Sequence, residues 1–234
     1  MRLSAPVYHL KRRAKMLARN EKIPLHQAQD RIARDEGFAG WSLLSRHLAT
    51  GRRETPLLRN LADGDMLLIA ARPGQGKTRL GLQLVLDAAA EGRRAVFFTL
   101  DYTERQVIER LQALADTSAT MPEIVTAEEI SADYIARYLA QAPRGTVAVI
   151  DYLQILDQQR SKPPLSDQML SLQAFARGRG VILGFISQID RNFDPESSPV
   201  PGIDDLRLPN PVPDRVFSKA CFRHSDETRF QHLS

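Results

Sequence analysis

Apolar residues in the first fifty positions recur every three or four places. Leu3, Val7, Leu10, Ala14 and Leu17 fall on one helical face, with Lys11, Arg12, Arg13, Lys15 and Arg19 around them. Pro24 opens a second such run, carrying Leu25, Ala28 and Ile32, which stops at Gly37. A third run, from about Trp41 to Leu48, supplies Leu43, Leu44 and Leu48, with Phe38 and Trp41 as an aromatic plug. Three short helices in a small bundle are the expectation for residues 1–50. A polar stretch containing Arg52 and Arg53 reads as a linker over 51–56.

From Leu57 the rhythm changes. Continuous apolar runs at 65–70, 95–100, 147–151 and 181–188 alternate with amphipathic stretches at about 77–90, 103–115, 131–141 and 166–177. A shorter strand is expected near 123–126. Strands that alternate with helices build a mostly parallel, twisted sheet with helices on both faces. Residues 190–213 carry six prolines and little periodicity, so they read as a long surface loop, often a functional feature at that length. Two short strand-like runs, 215–224 and 228–233, close an α/β domain expected over 57–234.

Composition narrows the classes. With 43% apolar and 26% charged residues in 234, the chain is that of an ordinary globular protein, and it holds no apolar run long enough to span a membrane. The basic N-terminal stretch lacks the apolar core of a secretory signal. Cys221 is the single cysteine, which excludes an internal disulfide and points to a reducing cytoplasm. Charge is unevenly spread: residues 1–60 hold 13 Lys and Arg against 5 Asp and Glu, and the remainder holds 19 against 23. A basic head on a mildly acidic body suits an anionic partner, nucleic acid being the usual one. A solvated helical face is the alternative, and charge alone leaves both open.

The chemistry concentrates at Ala71-Arg72-Pro73-Gly74-Gln75-Gly76-Lys77-Thr78, between the first strand and its helix. The spacing matches a phosphate-binding loop, with alanine in the first small position. Gly74 and Gly76 let backbone N–H groups turn inward on phosphate oxygens, and the helix that begins near Lys77 adds the positive end of its dipole. Arg72, Pro73, Gln75 and Arg79 complete the expected nucleotide-binding stretch. Lys77 would reach the β- and γ-phosphates of ATP, and the Thr78 hydroxyl would ligate Mg²⁺. Parallel sheets deliver ligands to the carboxyl ends of their strands. Asp151 ends a wholly apolar strand, where a carboxylate is costly unless it faces water or a cation, so it is a second candidate for Mg²⁺. Asp101 suits a general base toward water, or else an N-cap of the following helix. Gln188 ends the 181–188 strand and could sense the γ-phosphate.

Four segments in this order resemble motifs of the RecA-type ATPase domain of bacterial replicative (DnaB-like) helicases. They are the phosphate loop, Phe97-Phe98-Thr99-Leu100-Asp101, Val149-Ile150-Asp151-Tyr152-Leu153-Gln154 and Ile186-Ser187-Gln188-Ile189-Asp190-Arg191. Asp204-Asp205-Leu206-Arg207 resembles the family's next motif more weakly. The resemblance covers about residues 60–207. It implies a RecA-like P-loop fold, ATP and Mg²⁺ as cofactors, and catalytic roles for Lys77, Asp101, Asp151 and Gln188. Asp101 falls where the family has its catalytic glutamate, one methylene longer. Arg223 is the best match to the family's arginine finger, which acts across a subunit boundary and so implies a homo-oligomer, a hexameric ring being one form. Segments matching the family's pore loops hold Arg160, Lys162, Arg191 and Arg207, suited to backbone contact with single-stranded DNA. The basic bundle is expected in place of the family's large N-terminal domain. The expected activity is DNA-coupled ATP hydrolysis. The alternatives are an ATP-binding switch that presents the basic head to DNA or a protein partner, a filament-forming ATPase, and a plain DNA-binding protein.

Overall fold

Six apolar residues in a row, Met66–Ala71, form strand β1, and all six are buried. In the computed structural model β1 sits between β5 (Ile182–Gln188) and β6 (Lys219–His224), parallel to both. Strands β2 (Ala95–Thr99), β3 (Glu123–Val125), β4 (Val147–Asp151) and β7 (Glu227–His232) complete a seven-stranded sheet of order β3-β2-β4-β5-β1-β6-β7. Only the final pair, β6 with β7, is antiparallel. The structure describes residues 7–44, 57–115, 120–157, 163–190, 193, 201–206, 212–224 and 227–233. The chain divides into two compact units, Met1–Thr55 and Pro56–Ser234.

Alternation along each strand sends successive side chains to opposite faces. Met66, Leu68, Phe98, Ile150 and Phe185 meet one hydrophobic layer, while Leu67, Ile69, Phe97, Val149 and Ile186 meet the other. Helices α4 (Lys77–Ala90) and α5 (Glu104–Leu114) cover the second layer with Leu84, Val85, Val107 and Leu111. The first layer is closed by α6 (Ala132–Tyr138) and α7 (Leu165–Arg179) through Ile135, Met169 and Leu172. The expected RecA-like α/β architecture is what forms.

Gly81 shows how close α4 approaches the sheet. A Cβ there would stand 2.6 Å from Ile186 Cδ1 and 3.0 Å from Val149 Cγ1. A larger side chain would lever the helix, and with it Lys77 and Thr78, away from β1.

Two expectations shift. The helix at 131–141 ends at Tyr138, with Leu139 as its C-cap, whose N–H still donates to the Ile135 carbonyl at 3.0 Å. The run at 215–224 becomes strand only from Lys219, because Arg215 takes φ of +58°, outside the extended region. A 3-10 turn, Leu153–Asp157, follows β4. No helix among the described residues is long and apolar enough to cross a membrane.

In the smaller unit α1 (Val7–Asn20), α2 (Leu25–Asp35) and the helical residues 41–44 (α3) enclose Leu10, Ala14, Ala28, Ile32, Ala33 and Leu44, with Phe38 and Trp41 packed against them. The Trp41 N–H donates to Asp30 Oδ1 at 2.8 Å, so a carboxylate of α2 caps the start of α3. The expected third helix beyond residue 44 lies outside the described residues.

Candidate nucleotide site

Four strands bring polar residues to one edge of the sheet, around the end of β1. Strand register sets Thr99 of β2 opposite Asp151 of β4, and Gln188 of β5 and Arg223 of β6 on either side of Ala71 of β1. Since all five are parallel, this is the carboxyl edge, where the chain leaves each strand and backbone groups are no longer paired within the sheet.

The loop after β1 turns through Gly74 and Gly76, whose φ values of +75° and +84° a side chain rarely tolerates. Gly76 is the N-cap of α4 and, as glycine, offers the helix's first N–H groups no capping side chain. An uncapped helix start beside a glycine turn is the electrostatic form of an anion site. Lys77 and Thr78, in the first turn of α4, are half-buried at its mouth, while Pro73, Gly74 and Arg79 are exposed. Arg72 reaches the other way: its Nη2 donates to the Phe193 carbonyl at 3.0 Å, and its guanidinium lies 5.8 Å from that ring's centroid. The phosphate loop is thereby tied to the segment that follows β5.

Asp151 is 2% exposed, and its Oδ2 is buried with no hydrogen-bond partner. Burial pushes its pKa up to about 6; the Thr78 hydrogen bond lowers it, Asp101 raises it further, and Lys77 and Arg110 pull it back. A carboxylate held at the cost of desolvation, with one oxygen unanswered and a hydroxyl beside it, fits a divalent cation. Mg²⁺ needs little more from the protein, since it keeps waters and takes most remaining ligands from phosphates. Thr78 and Asp151 are the residues that would hold it. The peptide bond after Asp151 is cis, and Tyr152 packs against both hydrophobic layers.

Asp101 is exposed as a residue, yet partial desolvation of its carboxyl raises its pKa, and the Lys77 ammonium draws it down. Its alternative role, as helix cap, is taken by Thr103, which accepts from the Gln106 N–H while Gln106 answers the Thr103 N–H. Asp101 is therefore left at the site rather than spent on the helix. Gln188 is half-buried at the end of β5. Arg223, expected to act across a subunit boundary, has its guanidinium 3.8 Å from where a Gly76 Cβ would stand in its own chain. Arg160, Lys162, Arg191 and Arg207 lie outside the described residues.

The structure adds residues that the sequence did not single out. Arg110, on α5, sits 4.4 Å from the Tyr102 ring centroid and acts electrostatically on Asp151. A polar residue on an amphipathic helix carries no signal until the helix is docked. Phe193 touches both Arg72 and His224, the latter at 5.5 Å between ring centroids.

Comparison with known proteins agrees with this geometry. The DnaB-like helicase C terminal domain family matches residues 55–144, which include the phosphate loop and Asp101. A probable plasmid replicative DNA helicase of Chlamydia muridarum is 28% identical over 180 residues, covering 63% of this chain and 40% of that protein. The replicative DNA helicase DnaB of Mycoplasma pneumoniae is 23% identical over 186 residues, covering 62% and 39%. The larger unit is related to the DnaB-like helicase C-terminal domain. Solved structures carry the same fold. The ATPase domain of G40P aligns at 18% identity with a TM-score of 0.56, over 77% of this chain and 81% of that one. A DnaB-like replicative helicase, described with its interactions with primase, aligns at 17% identity with a TM-score of 0.60, over 97% and 71%. The chain spans about 40% of the length of the curated relatives it matches. Asp151 and Gln188 follow the span matched by the DnaB-like family, so their placement rests on the strand ends they occupy.

Proposed function

We propose that this chain is a Mg²⁺-dependent ATPase of DnaB-like type, coupled to single-stranded DNA. The observation that carries the reading is the buried, singly answered carboxylate of Asp151 beside Thr78 and Lys77, at the mouth of a glycine-turned, uncapped helix. Backbone N–H groups at Gly74–Lys77 hold the phosphates, and Lys77 neutralises them. Thr78 and Asp151 hold the cation, which when bound offsets charge on the phosphate oxygens. Asp101 accepts the proton of the attacking water, its raised pKa making it a better base than an exposed aspartate. Gln188 hydrogen-bonds the γ-phosphate. The position of Arg223 against Gly76 supports a cation supplied to the leaving phosphate from the same chain.

Residues 1–50 act as a basic head, 51–56 as a linker and 57–234 as the ATPase body. Arg160, Lys162, Arg191 and Arg207 contact the DNA backbone, the protein forms a homo-oligomer such as a hexameric ring, and it works in the cytoplasm. A second reading, a nucleotide switch with little turnover, draws on Asp101, whose carboxylate is shorter than glutamate and whose residue is exposed. Steady-state phosphate release with and without single-stranded DNA, for wild type, Lys77→Ala and Asp101→Glu, separates the two. Turnover stimulated by DNA and abolished by Lys77→Ala supports the motor. Nucleotide binding without wild-type turnover, with activity gained in Asp101→Glu, supports the switch. No binding of ATP in any variant overturns both.

A further inference from the structure

The 14 residues of α1 include Lys11, Arg12, Lys15 and Arg19 and no acidic residue. All four are exposed. At 100° per residue they span a single arc of roughly 100°, opposite the face where Leu10 and Ala14 are fully buried. None of the four is ion-paired among the described residues. Three of the four carboxylates among the described bundle residues are committed elsewhere: Glu21 pairs with Arg31, Glu36 faces Arg13 at 3.9 Å, and Asp30 caps α3, while Asp35 is exposed. Like charges at i, i+4 and i+8 (Lys11, Lys15 and Arg19) repel, so the arrangement costs helix stability.

We propose that this face of α1 is a binding site for the phosphate backbone of nucleic acid, separate from the ATPase site and independent of nucleotide. Three observations select that ligand over other anionic partners. The cations are spaced about 6 Å apart along the axis, one turn at a time, which suits a line of evenly repeated phosphates better than a single acidic side chain. Met16, at 56% exposure and about 40° beyond the arc, is the one large apolar group beside it among the described side chains, whereas protein interfaces are anchored by buried aromatic and apolar side chains. A lipid surface is held only weakly by basic side chains without an inserted apolar face, and here that face is buried in the bundle. With Lys and Arg alone, the contact reads charge and not sequence.

The test is fluorescence anisotropy of labelled DNA with the full chain, without nucleotide, between 50 and 200 mM salt. The proteins are wild type, the quadruple variant Lys11→Gln/Arg12→Gln/Lys15→Gln/Arg19→Gln, and the charge-keeping variant Lys11→Arg/Lys15→Arg. Glutamine keeps helix propensity, and circular dichroism checks that the bundle is intact. Each lost phosphate contact lowers the slope of log affinity against log salt by about 0.9 on duplex and about 0.7 on single strands. The quadruple variant is therefore expected to lose roughly 3 units of slope and bind at least tenfold more weakly, while the Arg variant binds as wild type. A slope and affinity unchanged in a folded quadruple variant overturn the proposal. A preference of more than about tenfold among scrambled sequences overturns its backbone-only form. Since no nucleotide is present, a failed ATPase reading leaves the result untouched.

Discussion

Asp151 is 2% exposed at the end of an apolar strand, whereas the cations of α1 stand in solvent. Neither Asp151 nor the set Lys11, Arg12, Lys15 and Arg19 is in an ion pair among the described residues, but their physics differs. Desolvation raises the pKa of Asp151 to about 6, so one buried carboxylate shifts the free energy by roughly 3 kcal/mol when ionised. An exposed lysine is screened within about a Debye length of 8–10 Å and matters through number and alignment. In the body, one residue out of place would empty the site; in the head, one residue out of four would only weaken it.

The sharpest way to break that contrast is Lys77→Ala, expected to lower ATP turnover by at least about 10³-fold in a phosphate-release assay. Asp151→Asn comes next and should move two quantities in opposite directions. Turnover falls by about 10²-fold or more, while nucleotide-free stability at pH 7 rises by about 2 kcal/mol in thermal or urea unfolding. The sign follows from linkage. With a folded pKa near 6 above the ordinary 3.8, the native state binds more protons than the unfolded chain in that window, so wild type loses stability as pH rises from about 4 to about 6. Asn at 151 removes that slope. A wild-type curve without the slope would mean that Asp151 is solvated in solution.

Arg223 sharpens the comparison within the body. Arg223→Ala should cost about 10²-fold or more in turnover. On the proposed same-chain role, mixing Lys77→Ala with Arg223→Ala should restore nothing. Recovery of activity in the mixture would assign Arg223 to a neighbour's nucleotide. Asp101→Glu is expected to raise turnover about tenfold, read in the same assay, by bringing the carboxylate nearer the water. The smallest effect belongs to the head: Arg31→Gln, which breaks an exposed pair with Glu21, should change unfolding free energy by less than about 0.5 kcal/mol.

Much of the body was legible because each of its signals is local. The run Val147–Asp151 cannot hide its apolar faces except inside a covered sheet, and β4 has those bounds. The glycine spacing before Lys77 could be read as a turn that opens a helix, and α4 starts at Lys77. Arg215 was harder. It opens a run that reads as strand, and its φ of +58° lies outside the extended region.

By itself the sequence determined the α/β pattern, the phosphate loop and the acidic strand ends, because periodicity and glycine spacing act over a few residues. Tertiary structure alone decided the rest. It docked α5 so that Arg110 acts on Asp151. It also set β6 beside β1 at a register that carries Arg223 to Gly76, about 147 positions away in the chain. Contacts of that range depend on which strands pair and at what offset, and no short stretch of sequence encodes either.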